Sequence, residues 1–242
     1  MPRFFTEPIE GSEAVLTGED AAHISRSLRM TVGDMLTLCD GSGKDYICTI
    51  SAMTAQEVTV HVCSVQFSSS EPDVEVVLFQ GLPKGDKMEW IIQKSVELGV
   101  TEIVPFIAVR SVSRPDEKAA EKKAERWQKI ANEAAKQSQR GKLPTVQPIQ
   151  SFAQAQKMAQ TLDCNILFYE GGGCPIRTVF SEEKPRHIGI WIGPEGGWAL
   201  SEVENLEKIG SKKVSLGSRI LRTETAPLAA LTAIMLLTGN LE

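Results

Sequence analysis

The sequence lacks a long apolar run, and this excludes a typical bilayer-spanning helix. Its longest apolar stretch, residues 226–237, contains Pro227 and Thr232 and is well short of the roughly 20 residues that a transmembrane helix needs. The first residues, MPRFFTEPIEGSE, contain no basic segment followed by an apolar one, so we expect no secretory signal. The sequence therefore predicts a soluble cytoplasmic protein.

Cysteine and histidine are also scarce. No two of the five cysteines form a CxxC pair, and none of the three histidines lies near a cysteine at a ligand spacing. We therefore expect neither a metal site nor a disulfide framework. The residues concerned are Cys39, Cys48, Cys63, Cys164, Cys174, His23, His61 and His187.

The chain has no overall excess of basic charge, but its charges are unevenly spread. The formal net charge is −5, and residues 1–70 already carry nine Asp/Glu against four Lys/Arg. Residues 110–142 hold ten Lys/Arg against five Asp/Glu, a local excess of five positive charges. Two interpretations stay open: this segment binds a polyanion, or it is the solvated face of a helix.

The polar stretch FSSSEPD, residues 67–73, is the best candidate for a domain boundary. It predicts one domain over residues 1–70 and another over residues 74–242. Before it, MLTLCDGSGKDYICTISAM and EVTVHVCSV indicate strands of a small barrel or curled sheet, with HISRSLRM as one helical piece.

After the boundary, strand-like and helix-like segments alternate, which predicts an α/β domain with a mainly parallel sheet covered on both sides. A helix after KGD carries an apolar face that includes Met88, Ile92 and Val96, and a long helix over 116–139 carries one that includes Trp127 and Ala131. The predicted strands are VEVVLFQGL, EIVPF, CNILFYE, HIGIWIG and KVSL.

Three glycine-containing loops follow predicted strands: YEGGGCP (169–175), IGPEGGW (192–198) and LGSRILRTETAP (216–227). Ligands of such sheets bind beyond the carboxyl ends of the strands, where glycine lets the backbone approach closely. Glu170, Glu195 and Glu224 place a carboxylate in each loop, which disfavours a polyphosphate and suits hydroxyls or a cation. A nucleoside with a positive centre fits this pattern, although three ordinary tight turns would produce it as well.

Other nucleotide motifs are incomplete. GSGK at 41–44 lacks the upstream glycine of a P-loop, because Leu38 stands there, and Asp45 replaces the Ser/Thr that holds magnesium. No GxGxxG follows the first strand of the α/β region, and no GxSxG is present. ATP, NAD and serine-hydrolase interpretations are therefore disfavoured.

The segments IGPEGGW and LGSRILRTETAPLAAL resemble the SPOUT superfamily of methyltransferases, specifically the family that methylates uracil N3 in small-subunit (16S) ribosomal RNA. KGDKMEWIIQKSVELGVTEIVPF, NEAAKQSQR and the opening RFF also resemble that family, so the similarity covers essentially the whole chain. The resemblance implies an N-terminal PUA-like β-barrel that binds RNA and a C-terminal α/β domain with a deep trefoil knot. It also implies S-adenosylmethionine as cofactor, no metal, and a homodimer with the active site close to the subunit interface.

Carried onto this chain, the resemblance points to a set of reactive and cofactor-binding residues. Uracil N3 carries a proton and attacks well only as the anion, so we hypothesise Glu224 as base and Arg222 as stabilising cation. Arg222 gripping a phosphate, Arg219 bracing the loop and Thr225 capping a helix are further interpretations. The expected cofactor-binding residues are Phe168, Glu170, Ile192, Gly193, Pro194, Glu195, Gly196, Leu216, Gly217, Ile220, Leu221, Arg222, Thr225 and Ala226.

Base pairing buries uracil N3, so the target uridine must be unpaired or flipped out. We expect ribosomal RNA or the small ribosomal subunit as partner, recognised through RNA shape and backbone contacts. The candidate contacts are Arg3, Arg26, Arg29, Lys84, Lys94 and the basic face of the 116–139 helix. Two alternatives stay open: a SPOUT methyltransferase with another RNA target, such as a ribose 2′-hydroxyl, or a noncatalytic RNA-binding protein.

Overall fold

The computed structural model describes residues 1–54, 56–181 and 185–241. The chain forms two compact units. The first comprises Met1–Glu71 and Ala135–Leu143, and the second comprises Pro72–Ala134 and Pro144–Glu242. The boundary predicted at residues 67–73 groups residues 135–143 with the second domain, whereas in the structure this segment belongs to the first unit.

A carboxylate network explains why residues 135–143 belong to the first unit. Glu71 accepts hydrogen bonds from Arg140 Nε at 2.9 Å and from the backbone N–H groups of Gly141 (2.7 Å) and Lys142 (3.1 Å). The Arg140 side chain is almost completely buried. A buried charge is tolerated only when it is paired and hydrogen-bonded, so this segment depends on Glu71 for its partner.

The first unit contains a five-stranded sheet with the order β1-β3-β4-β5-β2. β1 is parallel to β3 and the other pairs are antiparallel, with irregular register between β4 and β5. The expected strands and the helical piece are present, and the short β1 and β2 are additional. The elements are β1 (Arg3–Phe5), β2 (Glu13–Thr17), α1 (Gly18–Ala22), a π-helical turn (His23–Ser27), β3 (Met35–Cys39), β4 (Lys44–Met53) and β5 (Glu57–Phe67).

The second unit contains eight sheet strands, and six of them are followed directly by a helix or a helical turn. The alternation predicted from the sequence is present, and α4, with the short strands beside it, is additional. The elements are β6 (Glu75–Gly81), α2 (Lys87–Glu97), β7 (Glu102–Ile107), α3 (Glu117–Gln137), β8 (Thr145–Val146), β9 (Gln150–Ser151), α4 (Phe152–Ala159), β10 (Cys164–Phe168), β11 (Cys174–Pro175), a 3-10 turn (Ile176–Phe180), β12 (His187–Ile192), α5 (Leu200–Lys208), β13 (Lys212–Ser215) and α6 (Ala226–Leu237).

The second sheet has the order β11-β13-β10-β12-β6-β7-β8, and β9 pairs with β7. Its pairings are all parallel, which confirms the predicted mainly parallel α/β architecture. β13, β10 and β12 are neighbours, so the loops that follow them meet at one edge of the sheet. The deep trefoil knot stays a prediction from the resemblance.

The core of the second unit is built around Trp191 on β12. Its ring stacks on Phe79 at a centroid distance of 4.2 Å and meets Phe106 edge-on at 5.4 Å. The predicted inner faces of α2 and α3 are confirmed, since Met88, Ile92, Val96, Trp127 and Ala131 are buried. In the described part of the chain, no helix has the length and apolar character needed to cross a membrane.

Candidate functional site

A cavity of about 570 Å³ lies at the carboxyl ends of β10, β12 and β13. The three glycine-containing loops form most of its wall, and Lys87 at the start of α2 completes it. All of the expected cofactor-binding residues line this cavity except Thr225. Several cavity-lining residues were not predicted from the sequence. The additional lining residues are Lys87, Tyr169, Gly197, Trp198, Ser215, Ser218, Arg219 and Thr223.

The 193–198 loop is held against the end of β10. Trp198 Nε1 donates to the Phe168 carbonyl at 3.0 Å, and Gly197 N donates to the Pro194 carbonyl at 2.9 Å, closing a tight turn. Gly197 adopts φ +67°, and a Cβ there would collide with the Glu170 carboxylate. Glycine is therefore favoured at this position by its positive φ, and a larger residue would also displace the Glu170 carboxylate.

Thr223 joins the 216–225 loop to the 193–198 loop. Its hydroxyl donates to the Gly193 carbonyl at 2.8 Å and accepts from Gln80 Nε2 at 3.1 Å, and both side chains are buried. Thr225 does occupy the N-cap position of α6, but its side chain makes no capping hydrogen bond. The loop-fixing role expected of Thr225 therefore belongs to Thr223.

Lys87 lies between two carboxylates of the loops. Its Nζ is 3.0 Å from Glu195 Oε1 and 3.3 Å from Glu224 Oε2. The hydrogen bond to Glu195 is the main cause of a raised Lys87 pKa, with Glu224 adding to it. Burial alone would raise the pKa of Glu195, but hydrogen bonds from Lys87 and from the Lys84 backbone lower it below its usual value. Lys87 and Glu195 are therefore both charged at neutral pH.

Glu195, one of the expected cofactor-binding residues, is already paired within the protein. It lines the cavity, but its Oε1 already accepts from Lys87 Nζ and from Lys84 N at 3.1 Å. Glu170, by contrast, is exposed and accepts only a long hydrogen bond of 3.4 Å, from Trp198 N, among its contacts in the described residues. Glu170 is therefore the more accessible acceptor for a ligand hydroxyl.

The two hypothesised reactive residues occupy different positions. The Arg222 side chain is 83% exposed and lines the cavity, whereas the Glu224 side chain is 20% exposed and lies beside the cavity. Arg222 Nη1 is 3.9 Å from Glu224 Oε1. Glu224 Oε2 is buried and has Lys87 at ion-pair distance, but no hydrogen bond of good geometry. Arg219, expected only to brace the loop, is exposed on the cavity wall.

The structure separates the expected RNA contacts into buried and exposed residues. Arg3 forms a 2.6 Å ion pair with Asp45 and is only 12% exposed, so it acts in the core of the first unit. Lys94 is paired with Glu97 at 2.7 Å. Arg26, Arg29 and Lys84 are exposed, as are several lysines on α3. In the part of the chain that the structure describes, no cluster of His, Cys, Asp and Glu could hold a metal.

Comparisons with known proteins agree with this geometry. A family model for an RNA methyltransferase domain matches residues 70–235, and one for an RNA methyltransferase PUA domain matches residues 16–63. The ribosomal RNA small subunit methyltransferase E of Bacillus subtilis is 40% identical over 245 residues, covering 97% of this chain and 96% of that protein. The Synechocystis protein of the same name is 32% identical and covers 94% of this chain and 74% of its own length.

Solved structures show the same relationship. A ribosomal RNA small subunit methyltransferase E from Neisseria gonorrhoeae, bound to S-adenosyl methionine, superposes with a TM-score of 0.83 at 30% identity, covering 98% of each chain. The fold and the matched domains define an RNA methyltransferase with a PUA domain. Within that class, the chain belongs to the ribosomal RNA small subunit methyltransferase E family.

Proposed function

We propose that the protein transfers a methyl group from S-adenosylmethionine to N3 of a specific uridine in 16S ribosomal RNA. The observation that carries this proposal is the convergence of three loops from β10, β12 and β13 on one cavity, in a chain of this family. Arg222 and Glu224 stand at its edge, where a base delivered from outside would meet the cofactor.

The cavity fits S-adenosylmethionine in size and chemistry. Its volume of about 570 Å³ lies within the range of about 300–1,000 Å³ usual for small-molecule sites. Backbone amides of the glycine turns suit the base, and the exposed Glu170 carboxylate suits the ribose hydroxyls. The carboxylates of Glu170, Glu195 and Glu224 balance the cations of Lys87, Arg219 and Arg222 around the cavity, so the wall carries no excess of positive charge that would repel a cationic centre.

The cofactor supplies an activated methyl group on a sulfonium centre. The protein must then align uracil N3 behind that methyl group and exclude water, a task worth about 7–11 kcal/mol. Glu224 accepts the N3 proton, and the N3 lone pair forms the new N–C bond as the methyl–sulfur bond breaks with its electron pair returning to sulfur. Arg222 stabilises the developing negative charge or holds the target phosphate.

Further parts of the proposal concern partners and assembly. The substrate is ribosomal RNA or the small ribosomal subunit, and the protein binds it in the cytoplasm. Arg26, Arg29, Lys84 and the basic face of α3 contact its phosphates.

A homodimer is supported by α6, which is apolar apart from Thr232 and leaves Leu236 53% exposed. Light scattering on the purified protein measures the oligomeric state directly.

Methyl transfer with a nucleoside readout tests the proposed function. The purified protein is incubated with S-adenosylmethionine labelled in its methyl group and with either 16S RNA or small subunits, and the RNA is digested to nucleosides. Label in 3-methyluridine is the expected result. Label in a 2′-O-methylated nucleoside points to the ribose alternative, and no label on either substrate points to a noncatalytic RNA-binding protein.

A further inference from the structure

Lys87 occupies the junction between the cofactor cavity and the proposed base. It is the first residue of α2, and its side chain is directed away from the buried face that Met88, Ile91 and Ile92 form. Lys87 lines the cavity, whereas Glu224, at 3.3 Å, lies beside it. Among the described residues, it is the lysine that both lines the cavity and contacts a proposed reactive side chain.

Two carboxylates hold the Lys87 ammonium in place, and its side chain is still partly exposed to solvent. Glu195 approaches it from the 193–198 loop, and Glu224 approaches it from the 216–225 loop. Arg222 is the next cation, with its Nη1 3.9 Å from the other oxygen of Glu224. The Lys87 side chain is still 37% exposed, so a ligand is able to reach the ammonium without displacing it from both partners.

A purely structural ion pair is a weak explanation for this arrangement. Ion pairs this accessible to solvent contribute only about 0–1 kcal/mol to stability. Glu195 is also fixed without Lys87, because the backbone N–H of Lys84 donates to the same oxygen at 3.1 Å. The ammonium has three donor hydrogens. One donates to Glu195, and the contact with Glu224 is an ion pair at 3.3 Å, so at least one donor is available for a third partner.

A second cation beside the reacting ring, in addition to Arg222, would assist the proposed reaction. Loss of the N3 proton places negative charge on the two carbonyl oxygens of the uracil ring as well as on N3. A donor fixed beside those oxygens stabilises the anion and lowers the barrier. Glu224 takes up the proton in the proposed reaction, and the Lys87 ammonium is 3.3 Å from Glu224, so a ring that presents N3 to Glu224 would bring a carbonyl oxygen towards Lys87.

We propose that Lys87 is a further catalytic residue, whose ammonium donates to a uracil carbonyl oxygen and stabilises the N3 anion during methyl transfer. This inference rests on the proposed function. Lys87 keeps Glu195 as its anchor throughout, and its contact with Glu224 loosens as that carboxylate takes the proton and becomes neutral. The two residues therefore act together, Glu224 on the proton and Lys87 on the charge that the proton leaves behind.

Substitution of Lys87 tests the proposal. Lys87→Met should lower kcat by about 100-fold or more, with less than about threefold change in S-adenosylmethionine affinity. Its kcat–pH profile should be displaced to higher pH, because N3 ionises less readily without the cation. Lys87→Arg should recover part of the rate. Lys157→Met, on the exposed side of α4, is the matched control and should behave as wild type.

A more acidic substrate separates charge stabilisation from a structural role. RNA carrying 5-fluorouridine at the target position has a more acidic N3, so it depends less on Lys87. The Lys87→Met defect should shrink by about tenfold on this RNA. A purely bracing lysine would give the same loss on both substrates together with weaker cofactor binding, and that result overturns the proposal. Absence of 3-methyluridine with the wild-type protein would instead reject the proposed function.

Discussion

The Glu224 side chain is partly buried, and one of its carboxylate oxygens lacks a hydrogen bond among the described residues. Both features are consistent with a role of Glu224 as the proton acceptor. Its side chain is 20% exposed, and its Oε2 has no hydrogen bond of good geometry in the described structure. A buried oxygen without a full set of partners is costly. In the proposed mechanism, the proton taken from uracil N3 satisfies this carboxylate.

Replacing Glu224 by Gln keeps the shape of the side chain and removes its ability to accept a proton. We expect kcat for uracil methylation to fall by about 100- to 10,000-fold, the usual contribution of a general base, while calorimetric binding of S-adenosylmethionine stays close to wild type. Glu204→Gln, on the exposed side of α5, is the control. Near-normal turnover in Glu224→Gln would rule this residue out as the base.

Two of the five cysteines are buried, two are exposed, and Cys164 is half-buried. Burial raises the pKa of the Cys39 thiol to about 12 and that of the Cys48 thiol to about 11. Since the thiolate is the reactive form, both should remain unmodified by iodoacetamide at pH 8 in the folded protein. Cys63 and Cys174 are exposed and should be alkylated. Peptide mass spectrometry checks this pattern, and rapid labelling of Cys39 before Cys63 would contradict the packing of the first unit.

At the scale of elements, the site depends on how two loops are joined. Thr223 connects Gln80 at the end of β6 with the Gly193 carbonyl at the end of β12. Removing its hydroxyl leaves these buried groups with fewer partners, at a cost of about 1–3 kcal/mol. The loops then lose their fixed spacing, although no residue that performs chemistry has changed.

Thr223→Val should therefore weaken S-adenosylmethionine binding by about tenfold, the equivalent of about 1.4 kcal/mol, and lower the midpoint of thermal unfolding. Thr145→Val, at an exposed position on β8, is the matched control and should leave cofactor affinity unchanged. Isothermal titration calorimetry measures both variants. Equal affinities in the two variants would mean that the Thr223 bridge does not organise the cavity.

The same loops show what sequence patterns are able to predict. Apolar runs such as HIGIWIG identified the central strands, and the glycine loops identified the cavity, because both signals are local in the chain. Lys87 and Thr223 were missed as site residues because each depends on a partner more than 100 residues away in the chain, Glu195 for Lys87 and Gln80 for Thr223. The grouping of residues 135–143 with the first unit was not predicted for a similar reason, since the segment bonds to Glu71, which is more than 60 residues away in the chain.

For the whole molecule, charge distribution matters more than net charge. The chain carries −5 overall, yet residues 110–142 have an excess of five positive charges. Within them, α3 exposes Lys118, Lys122 and Lys129 alongside four exposed glutamates. Such a local basic surface binds polyanions through release of counterions. Arg3, in contrast, forms a buried ion pair with Asp45. We therefore expect replacement of Arg3 to lower the stability of the first unit and not to remove a direct RNA contact.

RNA affinity should therefore fall steeply with salt. Replacing Lys118, Lys122 and Lys129 together by Gln should reduce the slope of log K against log salt by up to about 2, since each phosphate contact contributes about 0.7 for single-stranded RNA. Fluorescence anisotropy across a salt series measures the slope. The triple replacement of Lys157, Lys208 and Lys212, which are exposed elsewhere in the second unit, is the control. Equal slopes for the two triple variants would remove α3 from the RNA-binding surface.

The account depends on the glycine loops forming a metal-independent site for a cationic nucleoside, and calorimetric titration of the purified protein with S-adenosylmethionine in the presence of EDTA tests this directly. We expect saturable binding with one site per chain, unchanged by EDTA and weakened by Thr223→Val. No heat of binding with S-adenosylmethionine or with its demethylated product, from protein shown to be folded, would contradict the account.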